Sequence, residues 1–121
     1  MKVLIQLVII SFNPVKKEHK VLLEDYSDGL NIPNMELTTV NNGCVDVCKD
    51  LTEYLLQTSG SLLNYKYIDN SFDKEEFTLT LTYGLLIPEC IPQKHGMWFN
   101  LFGGRYDAAT KELILKAIRK V

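Results

Sequence analysis

Residues 47–56 read VCKDLTEYLL, and Asp50 and Glu53 stand three apart in that run. On a helix, groups three or four apart share a face, so both carboxylates could reach one cation. A hard divalent ion such as Mg2+ or Mn2+ takes oxygen ligands and commonly uses one or two protein carboxylates plus substrate phosphates. The same spacing also suits a plain solvated face, because Asp46 and Lys49 lie on that side as well. Other groups with chemical potential are sparse. Cys44 and Cys48 have a spacing that can join two zinc ligands, but His19 and His95 are distant in sequence from them and from each other. Small buried helix residues are the better reading of those cysteines.

The element that must carry the pair is legible from periodicity. Cys44, Val47, Cys48, Leu51, Tyr54 and Leu55 recur at spacings of three and four, which predicts an amphipathic helix from about residue 42. Asn42 is its expected N-cap and Gly60 its expected end. Before it, MKVLIQLVIISF predicts a buried strand over residues 2–12, because the run is rich in Val and Ile and too short to span a membrane. No small-residue cleavage site follows it, so it does not read as a signal peptide. NPVKKEH is a polar turn, and KVLLED a second strand forming a hairpin with the first. YSDGLNIPN reads as a loop with a short strand near LNI.

After the helix, LLNYKYIDNSF and EEFTLTLTYGLLIP predict two strands joined through NSFDKEE. The second alternates, with Phe77, Leu79, Leu81 and Tyr83 on one side and Thr78, Thr80 and Thr82 on the other, as in a half-covered strand. MWFNL is a short strand. Asp107 is the expected N-cap of a closing helix whose buried stripe is Leu113, Ile114, Ala117, Ile118 and Val121. The order predicts a single α+β domain over residues 1–121, with a mixed or antiparallel sheet between two helices. Left at a sheet edge, the opening hairpin would invite pairing with a second copy, which makes a homodimer an expectation.

Bulk composition narrows the partners. With 121 residues, 46% hydrophobic and 23% charged, the chain can build one core. A net charge of -2 supplies no basic field for a nucleic-acid backbone, so no nucleic-acid partner is expected. The cations of the last helix complement its dipole instead. Three cysteines, an odd and small number, suggest reduced thiols and a cytoplasmic setting. No membrane association is expected.

The order of elements resembles the Nudix fold, an α/β/α sandwich, along nearly the whole chain. HKVLLEDYSDGLNIP is similar to that family's second strand and the approach to its signature loop. MWFNL followed by YDAATKELILKAIRKV is similar to its usual ending. Aligned from IPN, the Nudix box G-x5-E-x7-R-E-U-x-E-E-x-G-U places Met35 on the first Gly and Asn41 on the loop Glu. Lys49 then falls on Arg, Asp50 on Glu, Leu51 on U, Glu53 on the first paired Glu and Tyr54 on the second. KDLTEY thus stands for R-E-U-x-E-E. The resemblance implies Asp50 and Glu53 as metal ligands and catalytic residues, with Mg2+ or Mn2+ as cofactor if the protein is active.

It also implies a weakened or inactive hydrolase. Asp is one methylene shorter than Glu, a neutral phenol is no substitute for a carboxylate ligand, and Met35 cannot copy a loop glycine cheaply. Lys49 is a poorer fork for a carboxylate than Arg. Asp25 stands where the family often has a basic residue facing phosphate. The implied function is a degenerate Nudix-like domain that binds a nucleotide-type ligand or a protein partner. The alternative is an active, divergent hydrolase that cleaves a nucleoside diphosphate linked to another moiety. Glu75, Glu76 and Glu89 are candidate late bases that read better as solvated loop residues. Tyr26, Phe72, Trp98 and Phe99 could stack on a base, but read better as core or sheet-packing residues.

Overall fold

The apolar opening run becomes the centre of the sheet. In the computed structural model, β1 (Lys2–Asn13) is paired on both edges. Along one edge β6 (Thr78–Pro88) runs parallel to it, from Lys2 opposite Thr78 to Phe12 opposite Pro88. The other edge is divided between two antiparallel partners. These are β4 (Asn34–Glu36) at Leu4–Gln6 and β2 (Glu18–Tyr26) at Ile10–Asn13. Between them the Leu7 N–H donates to the Pro33 carbonyl at 2.9 Å. A strand covered on both faces and both edges needs no polar alternation, which explains its near-continuous apolar run. The opening strand is not left at a sheet edge, so the condition attached to the homodimer expectation is not met.

The structure describes residues 1–26, 29–38, 43–58, 63–88, 92–101 and 106–121. The remaining elements are β3 (Gly29–Asn31), α1 (Cys44–Leu55), β5 (Lys66–Asp73), β7 (Met97–Asn100) and α2 (Ala108–Lys120). The sheet order is β3-β2-β1-β6-β5, with β4 beside β1 and β7 beside β2. Among the described residues only the β1–β6 pairing is parallel, so the sheet is mixed. β4 had no sequence signal as a strand. It lies where the box alignment expects a glycine-rich loop, and Met35 pairs with Ile5 there.

Each face of the sheet has its own core. Ile5, Leu7 and Ile9 of β1 pack with Val47, Cys48, Leu51 and Leu55 of α1. The alternate residues Val8 and Ile10 pack with Ile114 and Ala117 of α2. That alternation makes the predicted α/β/α sandwich. On the α2 side Gly84 of β6 is needed for its lack of a side chain. A Cβ there would lie 2.9 Å from Val121 Cγ1 and 3.0 Å from Ile68 Cδ1.

Two details of the β5–β6 hairpin differ from expectation. Thr78 and Thr82 are buried, and the Thr82 hydroxyl donates to Gln6 Oε1 at 3.0 Å. The hydroxyl face is covered because β6 lies between β1 and β5 beneath α2. Phe77, expected on the inner side, is 57% exposed, with φ 50, at the end of the turn. Asp73 Oδ1 shapes that turn by accepting from the Glu75 and Glu76 N–H groups at 3.0 and 3.3 Å. The β1–β2 turn is built alike: Asn13 Oδ1 accepts from Val15 and Lys16 N–H, and Lys17 has φ 53. The turn chemistry therefore decides where Phe77 points, and its ring meets Phe72 edge to face at 5.8 Å.

Candidate functional site

α1 buries one side completely and presents the other to solvent. Val47, Cys48, Leu51, Thr52 and Leu55 are buried. Asp50, Glu53 and Tyr54 are exposed, and Asp46 and Lys49 half-buried. Tyr54 was expected in the buried stripe and is instead 48% exposed, while Thr52 takes the inner position. The hydroxyl explains how Thr52 can be buried. It donates to the Cys48 carbonyl at 2.8 Å and bonds Tyr65 Oη at 2.8 Å, so no polar atom is stranded. Asp50 and Tyr54 are four apart, and Asp50 and Glu53 three apart, so all three belong to one outer surface.

The helix begins at Gly43, whose extended backbone offers no side-chain cap. Asn42, the expected cap, and Gly60 lie outside the described residues, as do Asn41, Glu89 and Cys90. Nor does the last turn contain a basic residue. A distant loop completes that end. The Lys94 and His95 N–H groups donate to the Leu55 carbonyl at 2.7 and 3.3 Å, and Gln57 N–H donates to the Pro92 carbonyl at 2.9 Å. Lys94 Nζ donates to the Glu53 carbonyl at 3.0 Å. An ammonium at a helix C-terminus meets the negative end of the dipole. The His95 ring lies flat on Tyr54, with centroids 4.3 Å apart and planes inclined by 14°.

A magnesium ion commonly takes one or two protein carboxylates when phosphates complete its shell. Among the described residues no third His, Cys, Asp or Glu joins a metal-sized cluster. The donor set therefore suits an ion arriving with a diphosphate better than one held by the protein alone. Zinc and thiol chemistry are disfavoured differently. Burial, and then the nearby Cys44, push the Cys48 thiol up to about 12, which leaves it inert as a nucleophile.

Other candidates are scattered. Glu75 and Glu76 are exposed turn residues, and Asp25 is exposed at the end of β2. Trp98 packs toward the α1 core and Phe99 toward the α2 core, as expected. Phe72 is exposed, contrary to expectation. The side chain of Tyr26 lies outside what is described. Clefts of about 270 and 460 Å³ open on the α2 side, lined by residues such as Gln6, Asp69 and Lys116, or Lys17, Leu101 and Ile118. Neither is lined by Asp50 or Glu53.

Sequence reasoning did not single out Lys94, and treated His95 only as an isolated histidine. Their chain distance from α1 hides them, and no periodicity links a loop to a helix end.

No protein-family model and no curated protein matches the sequence. Solved structures do match the fold. One is a MutT/nudix family protein from Enterococcus faecalis, at TM-score 0.73 and 15% identity. The match covers 98% of this chain and 61% of that one, so the chain spans less than two thirds of that protein. A second is the NUDIX domain of Shewanella oneidensis NrtR, solved with ADP ribose, at TM-score 0.70 and 13% identity, covering 97% and 86%. A third is the C-terminal domain of mouse MUTYH, solved with human PCNA, at TM-score 0.73 and 11% identity, covering 98% and 88%. The fold is Nudix-like.

Proposed function

We propose that this Nudix-like domain binds a nucleotide-type ligand on the outer face of α1 and is weak or inactive as a hydrolase. The observation that carries the reading is the composition of that face. Asp50 and Glu53 stand on it, while Tyr54, at the position of the second paired Glu, stacks on His95. If an ion is bound, Asp50 and Glu53 hold it and the ion polarises a phosphoryl oxygen. The Shewanella domain, solved with ADP ribose, supports the ligand class. Among the described residues no helix is long and apolar enough to cross a membrane. The sparse cysteines fit a reducing, cytoplasmic setting.

A panel of dinucleotides and nucleotide sugars with Mg2+ or Mn2+ tests the reading. Binding by calorimetry without turnover is the expected result. Turnover that disappears in both Asp50→Ala and Glu53→Ala would instead establish an active divergent hydrolase. A protein partner is the second reading, favoured by the exposed Phe72–Phe77 pair at the β5–β6 tip. The MUTYH domain of the same fold was solved with a protein partner. Absence of any nucleotide binding would favour it.

A further inference from the structure

The Tyr54–His95 pair is an unusual feature for a helix surface. Both rings are exposed, yet they lie nearly parallel at 4.3 Å instead of packing into a core. Their positions are held from outside the rings. The loop that carries His95 is fastened to the end of α1 through the Leu55 and Glu53 carbonyls and the Gln57 N–H. Its far side is fixed too: Gln93 Nε2 donates to the Gly96 carbonyl at 2.8 Å. Gly96, at φ +80, then turns the chain into β7, in a place where a Cβ would lie 2.9 Å from the Leu23 carbonyl oxygen. The two rings are thus ordered before any ligand arrives, which lowers the entropic cost of stacking a third.

Resting on the reading of α1 as a nucleotide-binding face, we propose that Tyr54 and His95 form the platform on which the base of a purine nucleotide stacks. A π-face accepts any base, and the larger purine ring covers more of it. Lys94 is adjacent. One of its three ammonium donors is used on the Glu53 carbonyl, and the others point the ligand's phosphate toward the same end of α1. By the resemblance to the Nudix box, Tyr54 stands where a second carboxylate is expected, so the residue that would leave a metal site weaker adds a surface for the base. The platform binds the nucleoside end without requiring a metal ion.

The test compares AMP, ADP-ribose and ribose 5-phosphate, the last lacking a base, by calorimetry in EDTA. Proton NMR of the adenine H2 and H8 signals accompanies it. The wild-type protein is expected to bind AMP roughly tenfold tighter than ribose 5-phosphate, with upfield shifts of both adenine protons. Tyr54→Leu should erase that difference and the shifts. Tyr54→Trp should keep both, and Lys94→Ala should weaken the two ligands equally. The Tyr54 side chain is exposed, so the two Tyr54 variants should melt like the wild type.

A Tyr54→Leu protein that binds AMP as well as the wild type overturns the platform and leaves nucleotide binding standing. Equal affinity of the wild type for AMP and ribose 5-phosphate also overturns it. Wild-type protein that binds none of the three overturns the platform together with the reading on which it rests.

Discussion

α1 and α2 cover opposite faces of one sheet and have nearly equal lengths, 12 and 13 residues, but their ends are completed in different ways. α2 finishes itself. The Asp107 side chain accepts from the Thr110 N–H at 2.7 Å, and Arg119 and Lys120 stand in the last turn. α1 starts at an uncapped Gly43, has no basic residue in its last turn, and takes Lys94 and His95 from a loop some forty residues on. A helix with a local N-cap needs nothing from the rest of the chain at that end. A helix finished by a distant loop brings two chain segments to one exposed surface, and a binding site needs that convergence.

The largest effects should be the same for both helices, because both rely on burial for docking. Leu55→Ala in α1 and Ile114→Ala in α2 each remove a fully buried side chain. Each is expected to cost about 2–5 kcal/mol in denaturant unfolding. A much smaller loss for either would mean that its helix docks by something other than its buried stripe.

Gly96→Ala should separate them. The added Cβ must avoid the Leu23 carbonyl oxygen at an already left-handed φ. A loss of about 1–3 kcal/mol is expected. Amide exchange should quicken in the last turn of α1 and stay unchanged in α2. Equal loosening of both helices would sink the idea that the loop serves α1 specifically.

Asp107 gives α2 a pH dependence. The Thr110 N–H bonded to its carboxylate holds the Asp107 carboxyl below its ordinary value. A depressed carboxyl stabilises the fold above the unfolded aspartate value, and that stability is lost as pH falls through the lower folded value. Asp107→Ala should therefore lower the melting temperature at neutral pH and flatten its decline on the acid side below about pH 4. An unchanged acid limb would remove Asp107 from the account.

The smallest expected effect sharpens the comparison directly. Gly43 has extended backbone, and a Cβ there would meet nothing within 4 Å. Gly43→Ser would give α1 the cap that α2 already has, with a gain of a few tenths of a kcal/mol. The loop contacts of Lys94 and His95 should be unaffected, readable as an unchanged Tyr54 ring spectrum.

Much of the architecture was legible because it depends on local pattern. The 3.6-residue period marked both helices, Asp107 marked the start of α2, and the apolar run at the start marked a buried strand. Other features were not legible. Tyr54 and Thr52 both fit the period of α1, and only the carbonyl of Cys48 and the hydroxyl of Tyr65 make burial of the threonine acceptable. The alternation through FTLTLTY assigned Phe77 to the inner face, but the turn from Asp73 reverses the backbone before that alternation begins. The placing of the opening strand depended on partners at both edges, one of which, β6, lies about seventy residues away.

By itself the sequence determined the type and order of the elements other than β4, and which carboxylates share α1, because each follows from contacts within a few residues. It also placed Tyr54 beside Glu53 where a family resemblance expects a carboxylate. Tertiary structure decided that Tyr54 faces solvent, that His95 lies on it and that Lys94 caps the helix beneath. Those contacts join residues about forty apart, and such pairings are selected by the packing of the whole chain, which no local period encodes.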